Sequence, residues 1–269
     1  MMNKEEIVFR ETNRHRGRKL AVTPENSSMQ QLSYGRIILD RDTPRVSFES
    51  ADKEIGLICL RGHATVEVNS ERHQLARYDA IYIPPHFSVT VTTEEDVDFA
   101  ECSAHVEGSY PVQVVRYADV ESDAALKFQT GGQSNTRTIN ILLGKNINAG
   151  RILAGVTTSE PGNWTSWPPH EHAAMLEELY VYYDMPPPSF GVQFVYTDTN
   201  EPENIHIVRD GDAVLMPKGF HPNVSIPGHA ISFVWMMAAH REVEDRQFGV
   251  VTVQPGFDHG VSGLEASRK

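Results

Sequence analysis

Apolar and polar positions in this chain alternate over short stretches and seldom recur with the three-to-four-residue spacing of a helix. Residues 55–60 (IGLICL), 64–68 (ATVEV) and 87–91 (FSVTV) are rich in β-branched side chains and bounded by turn-forming or charged residues, the pattern of strands. The same texture returns at 152–156 (ILAGV), 179–183 (LYVYY), 191–196 (GVQFVY) and 231–236 (ISFVWM). Helical spacing is confined to 120–128, with Ser122 or Asp123 as a cap. Many short strands at near-regular intervals predict an all-β sandwich or barrel.

The strand pattern repeats. Tyr78-Asp79-Ala80-Ile81-Tyr82-Ile83-Pro84 is similar to Gly211-Asp212-Ala213-Val214-Leu215-Met216-Pro217, with Asp212 standing 133 residues after Asp79. Upstream, residues 54–58 (EIGLI) are similar to 178–182 (ELYVY), 124 residues on. The difference fits a longer connection in the second copy, around Pro186-Pro187-Pro188 and Asn200-Glu201-Pro202. Two half-length barrels follow, joined near 119–135. The reading is an N-terminal arm over 1–35, a first barrel over 36–130, a second over 131–258, and a tail over 259–269.

Composition narrows the function. The 269 residues carry 24 Lys+Arg against 36 Asp+Glu, a net charge of −12, which argues against a nucleic-acid partner because phosphate binding starts from a basic face. No apolar run approaches the roughly 20 residues needed to span a bilayer, so no membrane partner is expected. The charged start MMNKEEIVFRETNRHRGRKL does not resemble a signal peptide, and two cysteines make no disulfide framework; the expected location is cytoplasmic. Twelve histidines are the compositional oddity.

Three of them have ligand spacing. In Trp167-Pro168-Pro169-His170-Glu171-His172 the prolines favour an extended backbone, on which residues two apart share a face, so His170 and His172 present their imidazoles side by side. A carboxylate follows at Glu177 or Glu178, and His221 sits in the turn Pro217-Lys218-Gly219-Phe220-His221-Pro222. Three imidazoles and a carboxylate suit one divalent transition-metal ion per chain, zinc first, with manganese, iron or nickel as alternatives. Strand alternation favours Glu178: Tyr180 and Tyr182 would share its face, with Leu179, Val181 and Tyr183 on the other. Glu178 also falls opposite Glu54 in the repeat. This HxH, carboxylate and late histidine form the cupin pattern, so the two barrels read as a bicupin, a pair of double-stranded β-helix (jelly-roll) barrels, with the metal site in the second (131–258) and none in the first (36–130). The first half has no counterpart; the repeat places Val46, Phe48 and Ser88 where ligands would stand.

The chain further resembles the bicupin sugar-acid isomerases, a family that includes 5-deoxy-glucuronate isomerase of inositol catabolism and, more distantly, 5-keto-4-deoxyuronate isomerase. The resemblance runs through residues 162–172 (GNWTSWPPHEH), Leu176-Glu177-Glu178, Val195-Tyr196-Thr197-Asp198 and residues 216–222 (MPKGFHP), with Arg137-Thr138-Ile139-Asn140-Ile141-Leu142 similar to a strand ahead of the second barrel. It implies metal ligands at His170, His172, Glu178 and His221, a small sugar acid as partner, and a homo-oligomer. It also implies an intramolecular oxidoreductase converting a deoxy-uronate from aldose to ketose. For such a reaction Glu177 and Tyr182 are candidate proton carriers, and Lys218 or Arg151 a partner for the substrate carboxylate. The alternatives are a cupin dioxygenase and a non-enzymatic sugar-binding bicupin.

Overall fold

The computed structural model describes residues 6–257; the tail assigned to 259–269 lies outside the described residues. The chain is all-β, and the one short helix among the described residues, Tyr117–Ser122, precedes a strand, Lys127–Thr130. That helix begins earlier than the sequence pattern suggests because its cap is remote. Arg116 supplies no side-chain cap, and the Tyr117 amide instead donates to Asp79 Oδ1 at 2.8 Å. No local pattern reveals a cap 38 residues away.

Each half pairs a large sheet with a small one. In the N-terminal half a six-stranded sheet runs in the order Gln113–Val115, Ala80–Ile83, Lys53–Arg61, Val97–His105, Ser33–Leu39, Gly17–Val22. Its apolar face meets the four-stranded sheet Arg45–Glu49, Ser88–Thr92, His63–Val68, Glu71–Ala76 through a core that includes Ile55, Leu57, Val66, Val91 and Phe99. In the C-terminal half a seven-stranded sheet runs Val8–Phe9, Ala213–Met216, Leu176–Tyr182, Ser232–Ala239, Ile152–Ser159, Arg137–Leu143, Lys127–Thr130. Beside it lies the sheet Trp164–Thr165, Asn223–Ser225, Gly191–Val195, Asn204–Val208. A third apolar layer joins the two large sheets back to back through Ile58, Leu60, Ala100, Leu179, Val181, Leu215 and Met236. The strand Leu176–Tyr182 is therefore buried on both faces and reads as a continuous run.

Strands cross the boundaries drawn from sequence. The described part of the 1–35 arm is built into both sheets: Val8–Phe9 adds to the C-terminal sheet and Gly17–Val22 to the N-terminal one. Lys127–Thr130 pairs with Arg137–Leu143 and so belongs with the second half, although the sequence pattern places it in the first. The stretch leading into each half lends a strand to the other. Val8 lies opposite Val214, and Val114 opposite Ile81, the matching position in the repeat.

Strand pairing also corrects the repeat. Gly56 pairs with Tyr82 and Ile58 with Ala80; Leu179 pairs with Leu215 and Val181 with Ala213. Because Ala80 matches Ala213, Ile58 matches Val181, and Glu54 matches Glu177, not Glu178. A slip of one residue exchanges the faces of a strand, and it changes what Glu54 means. Glu54 Oε1 and Oε2 accept the amides of Gly150, Arg151 and Ile152 at 2.6–2.8 Å, and Glu54 Oε2 also accepts the Tyr82 hydroxyl. Glu177 accepts the amides of Gln30, Gln31 and Leu32 at 2.7, 2.6 and 2.5 Å. Each half thus holds, with one buried carboxylate, a loop of the other.

Candidate metal centre

The strand Leu176–Tyr182 aims Glu178, Tyr180 and Tyr182 into the C-terminal half, while Leu179, Val181 and Tyr183 pack in the layer between the large sheets. Opposite Glu178, the two-residue strand His170–Glu171 is held by pairing of His170 with Val253. His172 opens a turn closed by the amides of Met175 and Leu176, both donating to its carbonyl. His221 follows Gly219, which has a φ of +98°; a Cβ at this position would lie 2.7 Å from the Tyr196 carbonyl oxygen, so the turn has no room for a side chain.

These elements bring the sequence-predicted residues together. Nε2 of His172 lies 2.9 Å and Nε2 of His221 3.1 Å from the same oxygen, Glu178 Oε2. The three residues are buried and form the metal-compatible cluster of the described residues. His170 stands at its edge, its ring 4.9 Å from that of His221 and 6.4 Å from that of His172.

The second nitrogen of each ring decides what the first can do. Nδ1 of His170, His172 and His221 lies 2.8, 3.1 and 2.9 Å from the carbonyls of Pro168, Leu176 and Gly219. A carbonyl only accepts, so Nδ1 carries the hydrogen and Nε2 of the neutral ring presents a lone pair. Lone pairs of His172 and His221 then face a carboxylate oxygen, an arrangement that needs a proton or a cation between them. Burial raises the Glu178 carboxyl, but the hydrogen bonds and charge of His172 and His221 outweigh it and hold the group down to about 2. Burial lowers His172 as well, and Glu178 more than offsets this, leaving it raised. His170, which has the more distant Glu178 contact, is lowered to about 3 by burial and by the charge of His221. Glu178 Oε1 is buried without a hydrogen-bond partner, and His221 Nε2 has none besides Glu178 Oε2. An orphaned carboxylate oxygen beside two converging Nε2 atoms fits a divalent cation.

A cavity opens against this cluster. Its wall from the large sheet is Arg137, Ile139, Thr157, Glu178, Tyr180, Phe233, Trp235 and Met237; Ser166, His170 and His172 face them, and 248–251 close one side. The Tyr180 and Ser166 hydroxyls are 2.7 Å apart.

Other residues singled out from sequence lie elsewhere. Glu177 points into the layer between the halves, saturated by three amides, so it does not face the cavity. Tyr182 is deeper in the barrel, donating to Gln193 Oε1 and accepting from Asn223 Nδ2. Lys218 is exposed, and Arg151 is committed to the carbonyls of His105, Ala239 and His240. Trp164 and Trp167, in the 162–172 segment that carries the resemblance, contact each other, Trp164 also stacking on Phe194 and Trp167 meeting Phe257. Tyr180 lines the cavity on the Glu178 face, as strand alternation places it, whereas Arg137, Thr157 and Ser166 are polar lining groups that residue spacing does not single out.

The sequence model of the KduI/IolB family matches residues 8–250. The chain belongs to this family. Among its relatives, 5-deoxy-glucuronate isomerase of Geobacillus kaustophilus is 30% identical over 239 residues, covering 82% of this chain and 84% of that protein. The enzyme of the same name from Geobacillus thermodenitrificans is 28% identical, covering 86% and 89%. Among solved structures, an IolB-like protein of Salmonella typhimurium superposes with a TM-score of 0.82 at 24% identity, over 94% of this chain and 98% of that one. Oxalate decarboxylase of Bacillus subtilis, described with Mn(II) centres, shares the fold at a TM-score of 0.61 and 12% identity, over 86% and 76%. No helix among the described residues is long and apolar enough to cross a membrane.

Proposed function

We propose that this chain is a metal-dependent aldose–ketose isomerase that converts 5-deoxy-glucuronate to 2-deoxy-5-keto-gluconate in inositol catabolism. The observation that carries the reading is the buried His172–Glu178–His221 cluster, in which two Nε2 atoms converge on Glu178 Oε2 beside a cavity that His172 and Glu178 line. The family's 5-deoxy-glucuronate isomerases supply the substrate. A cytoplasmic homo-oligomer binding zinc is part of the same proposal.

His170, His172, Glu178 and His221 would hold the ion. When bound, it polarises the carbonyl and adjacent hydroxyl of the sugar and stabilises the charge that develops between them. The chain does the rest. Ile139, Phe233, Trp235 and Met237 keep the reacting carbons in an apolar environment, which strengthens every polar contact made there. Burial keeps the Tyr180 phenol protonated far above its ordinary range, so its hydroxyl is a donor to a substrate oxygen, with Ser166 fixing its direction.

Two outcomes are expected. Metal-loaded protein turning over 5-deoxy-glucuronate in deuterated water should yield ketose carrying solvent deuterium at the carbon that receives the hydrogen, read by NMR. Iron-dependent oxygen consumption, or tight uronate binding without turnover, would overturn the isomerase reading. Tyr180→Phe should lower kcat by about 10²-fold with metal content unchanged; wild-type turnover in that variant would remove the phenol from the reaction.

A further inference from the structure

Arg137 is 3% exposed, lines the cavity, and forms no salt bridge among the described residues. Its two terminal nitrogens donate to the carbonyls of Asn135 and Trp167, at 2.9 and 2.7 Å. These use two of the five N–H bonds of a guanidinium and none of its charge. Arg36, just as deeply buried, is by contrast answered by Asp98 with two parallel bonds of 2.7 Å. Burial lowers Arg137 to about 10, which still leaves it a cation at neutral pH. A buried cation without an anion is costly unless something supplies the anion.

The fold shows where the anion would sit. Arg137 and Ile139 point from one strand into the same cavity that Glu178 and Tyr180 enter from another, with Thr157 and Trp235 between them on the intervening strands. The remaining lining there is apolar apart from Ser166 and the histidines. The cavity therefore offers an oxygen-chelating centre, a hydroxyl pair and a single fixed cation, a set matching a short polyhydroxy chain that ends in a carboxylate.

We propose that Arg137 is the specificity residue that binds the carboxylate of the substrate, a role for which the sequence had offered Lys218 and Arg151. The assignment rests on the sugar-acid reading of the same site and names the group that reads the acid. A fork of N–H donors suits a carboxylate better than a lysine does, so Arg137→Lys is not conservative here.

The test compares 5-deoxy-glucuronate with 5-deoxyglucose, in which a CH2OH group replaces the carboxylate, on metal-loaded wild-type, Arg137→Gln and Arg137→Lys proteins. For the acid, Arg137→Gln should raise KM by about 100-fold with kcat changed less than about fivefold, and Arg137→Lys should fall between. For the neutral sugar both variants should match the wild type, and metal content should not move. Equal losses on acid and neutral sugar would make Arg137 a support for the Trp167 loop and overturn the proposal, as would an unchanged preference for the acid. Should Arg137→Gln not fold, the acid-to-neutral ratio of Arg137→Lys decides. If the wild type turns over neither compound, calorimetric binding of the same pair separates the ideas. Acid-selective binding lost in the variants keeps Arg137 and discards the isomerase; absence of selective binding discards Arg137.

Discussion

Glu178→Gln should leave the protein folded, free of its divalent ion, and at least about 10³-fold lower in kcat/KM. The glutamine amide has the size of the carboxylate and can donate to the Nε2 atoms of His172 and His221, now 2.9 and 3.1 Å from Glu178 Oε2. The apo site is thereby satisfied by hydrogen bonds alone, and the buried charge that draws the cation is gone. Two measurements check this together. Elemental analysis should find about one ion per wild-type chain and none per variant chain. Added zinc should raise the melting temperature of stripped wild type by mass action and leave the variant where it was. A variant that keeps its ion and turns over at the wild-type rate would take Glu178 out of the site.

Glu177→Gln, one position away, should do the opposite. Its carboxylate receives three amides at 2.5–2.7 Å while 1% exposed, and an amide side chain would turn two hydrogens towards one or more of those donors. Breaking a buried charged network of this kind costs about 3–5 kcal/mol, a melting temperature lower by on the order of 10 °C for a chain of this size. Metal content and turnover per folded molecule should be unchanged. Glu54→Gln should behave in the same way, since Glu54 receives the amides of Gly150, Arg151 and Ile152. Activity lost in Glu177→Gln at temperatures where the protein is fully folded would restore Glu177 as a proton carrier.

The contrast between these neighbours shows what could be read in the sequence. Period-two alternation alone put Glu178, Tyr180 and Tyr182 on one face and Leu179, Val181 and Tyr183 on the other, as the core layers have them. The spacing of His172 against Glu178 is local and was legible too, and the glycine turn marked His221; the structure gathers these three, with His170 at the edge of the group. The register of the repeat was not. Two adjacent glutamates offer two alignments to Glu54, and only the pairing of Ile58 with Ala80 and of Val181 with Ala213 chooses between them. Arg137 was hidden for a related reason. It lies on a strand separated from Leu176–Tyr182 by two others, and no spacing along the chain announces that the two line one cavity. The first strand escaped as well, since Val8–Phe9 finds its partner, Ala213–Met216, only in the other half.

The exchange of loops between Glu54 and Glu177 bears on how this molecule can be divided. A cut near the short helix would give two fragments, each with a carboxylate stripped of its donors and a large sheet bare on its back face. Neither fragment is a module in the sense of a part that can be lent to another protein. The N-terminal half, which has no metal-compatible cluster among the described residues, still bears on the site, because its 30–32 loop and its large sheet brace the strand that carries Glu178.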